Sequence, residues 1–280
     1  PTIDRLNKSN VMTDRRRLFL QYLAEPPRLV FVEPPAPGDG QHRRGELPQN
    51  SFWCIGVDVG GSVSHYVILG YAPGDGFVRV IDLGRVTGSL KAQMARMNEI
   101  LSTFDPNKGA LLYDYGYSGH QLARIWSNLG PKHRALPIRG LNDLNFLIDP
   151  SVDIKWGDWW RYRRMNRGSG LYALQIQSVA AKDALMGLLY IGRLLLFLSD
   201  NDPIVKLYKE SVCKSERPIE RDGRRLYERV YESNHFFDAT VYALAGLLFS
   251  GAPLDLSSLP RVDNASYTAV EQFDHTGELV

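Results

Sequence analysis

"WCIGVDVGGSVSHYVILGY", residues 53–71, sets the problem that the rest of the chain must solve. Its flanks are apolar and β-branched, so 52–60 and 63–71 read as two strands. Gly60, Gly61 and Ser62 between them suit a tight hairpin turn. Asp58 stands inside the apolar run, directly before the glycines. Two chemistries compete for such a carboxylate: a glycine pair that cradles a phosphate, or an acid that holds a metal ion.

Further strands and helices follow on either side of this question. "GDG" at 74–76 is a turn, and 77–86 reads as a third strand, giving an antiparallel meander. Residues 89–104 place Leu90, Met94, Met97, Ile100 and Leu101 at helical spacing behind a Ser89 cap. A fourth strand, 109–116, carries Asp114 near its end. A helix over 118–130 and a fifth strand over 133–140 complete a β-β-β-α-β-α-β order. Residues 141–172 read as irregular, 178–199 as a long helix, and 234–249 as a last helix capped by Asn234 or Ser233. The tail beyond Pro253 has weak periodicity. Residues 1–24 hold a short amphipathic pattern, and the Pro- and Gly-rich 33–50 reads as a linker. The expected divisions are a lead-in (1–50), a main domain (51–252) and a tail (253–280).

Composition narrows the class. At 280 residues and 44% hydrophobic, the chain can bury one large core. Cys54 and Cys213 are 159 positions apart, which suggests neither a zinc site nor a disulfide framework. The apolar stretch 184–198 is short for a membrane span and contains Arg193, so it reads as part of a buried helix. Net charge is only +2, but 151–229 contains 15 Lys and Arg against 10 Asp and Glu. Basic charge is therefore concentrated where the secondary-structure signal is weakest.

The order β-β-β-α-β-α-β is that of the ribonuclease-H-like α/β fold. Its mixed sheet has three antiparallel strands, then parallel strands, with flanking helices. Metal nucleases of this fold use acids on the first strand, at the end of the fourth, and on the last helix. Asp58, Asp114 and Asp238 fall on those elements. Carboxylate oxygens are the ligands that Mg²⁺ and Mn²⁺ prefer, and converging acids repel one another until a cation binds. Two such ions can serve phosphodiester hydrolysis. His235 lies three residues before Asp238, on the same helical face, and is a further candidate ligand. Singly, each residue has an ordinary use. Asp58 suits a strand-end turn, Asp114 a loop start, Asp238 a first helical turn, and His235 half-buried packing.

"GVDVGGSVSHYVILGY", "ALLYDYGYSGHQLARIW" and "NHFFDATVYALAG" together resemble the nuclease domain of the large terminase subunit of tailed bacteriophages. The resemblance covers about 52–250 and is only general between 141 and 230. It implies DNA as substrate, endonucleolytic cutting, two divalent ions (Mg²⁺ or Mn²⁺), and Asp58, Asp114 and Asp238 as ligands. It implies His235 as a further ligand or a phosphate contact. It also implies an ATPase motor, a portal protein and a small terminase subunit as partners, in the host cytoplasm. Large terminases carry a motor as well, yet this chain has no G-x-x-x-x-G-K-[ST] and no Gly-Lys pair. The expectation is a C-terminal nuclease piece, with 1–50 as the connection to the motor.

DNA would need a positive surface beside the acids. "WWRYRRMNRGSG", 159–170, interleaves Arg161, Arg163, Arg164 and Arg167 with Trp159, Trp160 and Tyr162. These arginines are candidate phosphate contacts, as is Lys182, although a surface ion pair of Lys182 with a neighbouring acid is the plainer reading. Residues 217–229 form a second basic stretch. The bland alternative for both is a charged hairpin with aromatic anchors. Neither carries a base-reading code. Three rival functions remain: an actin-like sugar kinase or ATPase using "GVDVGGS" as a phosphate loop, a non-catalytic DNA-binding scaffold of the same fold, and a junction resolvase.

Overall fold

The computed structural model describes residues 34–105, 107–116, 119–129, 134–141, 155–156, 159–164, 171–198, 201–221, 224–230 and 233–256. In chain order its strands and helices are β1 (Gly38–Asp39), β2 (Phe52–Asp58), β3 (Val63–Tyr71), β4 (Val78–Thr87), α1 (Leu90–Leu101), β5 (Gly109–Asp114), α2 (Gly119–Asn128) and β6 (Arg134–Leu141). Next come β7 (Lys155–Trp156), β8 (Trp160–Arg164), β9 (Tyr172–Gln177), α3 (Ser178–Tyr190), β10 (Leu194–Leu196), α4 (Pro203–Lys214), β11 (Glu216–Arg221), β12 (Arg224–Arg229) and α5 (His235–Phe249).

Among the described residues, one sheet runs in the order β1-β10-β4-β3-β2-β5-β6-β9-β8-β7. β2, β3 and β4 are antiparallel neighbours, whereas β2, β5, β6 and β9 run parallel. This is the mixed, ribonuclease-H-like sheet that the sequence predicts. Its central parallel pair matters most. β2 and β5 are in register from Trp53 opposite Gly109 to Val57 opposite Tyr113, so Asp58 and Asp114 end adjacent strands at the same edge.

Period-two alternation then assigns the faces. Trp53, Ile55 and Val57, with Leu111 and Tyr113, join Met94, Met97, Leu122 and Trp126 in the core beneath α1 and α2. Cys54, Gly56 and Asp58 therefore face the other layer, formed by α5. Gly56 allows that helix to lie on the strand: a Cβ there would sit 2.5 Å from the backbone nitrogen of Ala243 and closer still to the carbonyl oxygen of Ala239. α5 buries ten residues, among them Phe236, Phe237, Ala243 and Leu247. Burial of that apolar face, at about 25 cal/mol per Å², holds the helix on the sheet.

The turn after Asp58 is pinned from α1. Gln93 is fully buried; its side-chain nitrogen donates to the Gly88 carbonyl at 2.7 Å, and its oxygen accepts from the Ser64 hydroxyl. Gly60 is required there because a Cβ would collide with the Val63 carbonyl.

Several expectations need correction. β2 ends at Asp58, so the acid terminates the strand and is not in its middle. The helix expected over 178–199 stops at Tyr190; Gly192 then takes a positive φ and the chain returns as β10, which pairs with β4. The apolar run 184–198 is thus helix as far as Tyr190, then a turn and the short strand β10, because a mostly apolar stretch carries no periodicity to separate helix from strand. Part of the region read as irregular forms β7 and β8, and α4 was not anticipated. Residues 38–39, inside the expected linker, add a strand to the sheet edge. The 1–24 pattern and most of the tail lie outside the described residues.

Candidate metal centre

Four acids from four elements meet at the edge where β2 and β5 end. Asp58 and Asp114 come from the strands, Asp238 from the first turn of α5, and Glu216 from the start of β11. Burial and three negative neighbours, Glu216, Asp58 and Asp114, push the Asp238 carboxyl up to about 7 against the pull of Lys182. Burial raises the Tyr242 hydroxyl, one turn further along α5, well above the usual tyrosine range, and the same four carboxylates add to the shift. A cavity of about 260 Å³ opens beside them. Asp114, Asp238, Lys182, Arg139, Ser178 and Tyr242 are among its lining residues.

Each acid has a partner; Asp114 Oδ1 accepts from the Gly116 backbone N–H at 2.9 Å. His235 Nδ1 bonds Asp58 Oδ2 at 2.5 Å, and this hydrogen bond raises the histidine pKa. Its ring stacks on His65, with centroids 4.6 Å apart and planes 9° apart. His65 is pushed down to about 4, first by burial and then by the neighbouring His235. Asn234 occupies the N-cap position of α5 but makes no side-chain capping bond. Its amide instead donates to Glu216 Oε1 and Asp238 Oδ2, both at 2.7 Å. Lys182 donates to Glu216 and lies 3.8 Å from Asp238.

The donor set fits a hard divalent cation in kind, since it is carboxylate oxygen. Burial comes first in raising Asp238, and the three neighbouring carboxylates add to it; a bound cation would relieve that repulsion. Among the described residues, however, no three His, Cys, Asp or Glu side chains converge as ready-made ligands. Oxygens of Glu216, Asp238 and Asp58 instead accept from Lys182, Asn234 and His235.

Asp58 and Asp114 lie close enough to Asp238 to act on its carboxyl. His235 turns to Asp58, not to a point shared with Asp238. Glu216 escaped sequence reading because it stands within a basic stretch, "KSERPIERDGRR"; only pairing of β11 with β12 and its 4% exposure set it apart. Lys182 does form an ion pair, with Glu216, but the pair is largely buried and not on the surface, the lysine side chain being 16% exposed.

The arginine run divides. Arg161 is buried and its Nε donates to Gln175 Oε1 at 2.6 Å, so its expected phosphate contact gives way to an internal one. Arg163 is half-buried on β8. The side chain of Arg164 and all of Arg167 lie outside the described residues. Trp160 and Tyr162 pack on Phe249, at 5.5 and 5.2 Å between ring centroids, and so anchor this hairpin to the far end of α5. In the second basic stretch Arg217 pairs with Glu228 and Arg225 with Asp183. No helix among the described residues is long and apolar enough to cross a membrane.

No protein-family model matches the chain, and no curated protein matches it. Among solved structures it is similar to the large terminase nuclease of thermophilic phage G20c, at 14% identity, covering 78% of this chain and 94% of that one, with a TM-score of 0.45. A magnesium-bound structure of that nuclease matches at 14% identity, 77% and 92% coverage, and TM-score 0.44. The P22 large terminase nuclease domain matches at 13% identity, 75% and 92% coverage, and TM-score 0.42. The large terminase of bacteriophage HK97 matches at 12% identity and TM-score 0.44; 72% of this chain aligns, spanning 41% of that longer protein.

Proposed function

We propose that this chain is a divalent-metal-dependent endonuclease that hydrolyses phosphodiester bonds of double-stranded DNA, and that it is the cutting domain of a viral DNA-packaging terminase. The observation that supports this best is the meeting of Asp58, Asp114, Glu216 and Asp238 beside a cavity that Arg139 and Lys182 also line. The sequence resemblance sets the number at two ions, Mg²⁺ or Mn²⁺, and the clustered carboxylate oxygens are ligands of the kind such ions prefer.

Asp58, Asp114, Glu216 and Asp238 would hold them. When bound, such ions polarise a phosphoryl group and make a water acidic enough to supply a nucleophile. The chain's own residues do the rest. His235 fixes the Asp58 carboxylate through Nδ1, Asn234 spaces Glu216 from Asp238, and the cationic cavity wall suits a phosphate. Contacts of this type read backbone, so sequence specificity is low. By the sequence resemblance, the partners are an ATPase motor, a portal protein and a small terminase subunit, in the host cytoplasm.

The test is nicking of supercoiled plasmid with Mn²⁺ by the wild type, Asp58→Ala and Asp238→Ala. The expected result is cutting by the wild type alone. Equal cutting by all three sinks the reading, and binding without cutting by any leaves a DNA-binding scaffold.

A further inference from the structure

We propose that Lys182 is the built-in counter-cation of the acid cluster: a positioning residue whose ammonium competes with the divalent ion and withdraws from Glu216 and Asp238 as the ion binds. This rests on the metal-centre reading above and goes beyond it to what controls metal affinity.

The geometry points to competition and not to a passive surface pair. The lysine side chain is 16% exposed and Glu216 only 4%, so their attraction is weakly screened by water. The same ammonium lies 3.8 Å from Asp238 Oδ1, so it serves two of the four acids at once. Its position is built in. The rings of Tyr227 and Phe237 stand with centroids 5.6 and 5.5 Å from Nζ, and both favour a cation there. Tyr227 is itself fixed by a 2.6 Å hydrogen bond to Asp183, the residue next to Lys182 on α3. Asn234 closes the network by bonding both acids.

A divalent ion must take oxygens that Lys182 and Asn234 now hold, and it would meet a like charge within a few ångströms. That accounts for the absence of a ready-made three-ligand group among the described residues. Lys182 also lines the cavity, so its ammonium has room to swing from the acids toward that space. A phosphate group there would attract it. Metal and DNA then assist each other: the phosphate draws off the ammonium while the ion takes the carboxylates, and this coupling is reciprocal.

Calorimetric titration with Mn²⁺ alone, without DNA, tests the idea on the wild type, Lys182→Met and Lys182→Arg. Lys182→Met is expected to bind Mn²⁺ at least tenfold more tightly than the wild type, and Lys182→Arg to stay near wild-type affinity. Equal or weaker binding by Lys182→Met overturns the counter-cation while leaving the metal centre standing. No Mn²⁺ binding by any of the three proteins overturns both. A second measurement needs no functional variant. In wild-type protein labelled with ¹⁵N at lysine Nζ, saturating Mg²⁺ is expected to shift or broaden away the protected Lys182 ammonium signal. An unmoved signal refutes withdrawal.

Discussion

Gly56→Ala would separate a helix that merely covers the sheet from one that sets the site. The new Cβ would lie 2.5 Å from the Ala243 nitrogen and closer still to the Ala239 oxygen, where about 3.5 Å is comfortable. Both obstacles are backbone, so no side chain can rotate away, and α5 must retreat by about 1 Å or more. Overpacking of this kind costs about 1–3 kcal/mol, and rigid contacts on both sides put this change near the top, about 3 kcal/mol. For a domain of this size each kcal/mol moves Tm by about 2–4 °C, so a fall of about 6–12 °C is expected. The chemistry should suffer more than the fold. His235 and Asp238 ride on α5, while Asp58 sits two residues beyond Gly56 on β2, so the retreat separates the acids. A misplacement of about 1 Å costs on the order of 100-fold in rate. The assays are scanning calorimetry and Mn²⁺-dependent plasmid nicking well below both melting temperatures. A variant melting within about 1 °C of the wild type would refute the packing argument. A destabilised variant with full nicking rate would break the link from helix placement to the site.

Five further outcomes are expected. Glu216→Gln should lower nicking by about 100-fold or more, as loss of a ligand does, while leaving the fold intact by circular dichroism. Metal affinity should rise with pH up to about 7 and then level off, because the ion needs the ionised Asp238 and burial with neighbouring acids holds its proton to about 7. The slope approaches tenfold per pH unit at most, and calorimetric titration of Asp238→Asn should show it flattened. In the metal-free protein the sign for stability is opposite: an acid raised in the folded state favours the fold at low pH, and that contribution is lost as pH climbs from about 4 to about 7. Asp58→Asn should lower the pKa of His235, seen by NMR titration of its ring protons, because the carboxylate that accepts from Nδ1 is the first cause of its upward shift. Arg161→Ala should destabilise the protein by about 1–3 kcal/mol in urea melts, because it removes the buried hydrogen bond from Nε to Gln175 Oε1, with little loss of DNA affinity.

The three-aspartate plan was legible because it follows from element order. Strand-period alternation put Asp58 opposite the α5 layer, and the parallel register of β2 with β5 put Asp114 beside it. The alternation is a local signal, and Val63–Tyr71 was read to the residue, whereas the register belongs to the folded sheet. The run 184–198 misled for an equally local reason: fully apolar sequence looks alike in helix and in strand. Arg161 misled because an arginine in a charged run looks solvated. Only the pairing of β8 with β9 turns it inward onto Gln175.

Sequence alone determined the chain order of the elements from β2 to β6 and that each of the three aspartates stands on a strand or helix, since hydrophobic periodicity and glycine placement act over a few residues. The tertiary structure decided what those acids touch. Glu216 joins them from 22 residues before Asp238, Lys182 from 56 residues before it, and His235 binds Asp58 across 177 positions. Charge and hydrogen bonding act over a few ångströms of space and are blind to separation along the chain. Whether an Asp, a Lys and a Glu form a surface pair or a cation-binding centre is therefore settled only when α3, β11 and α5 pack together.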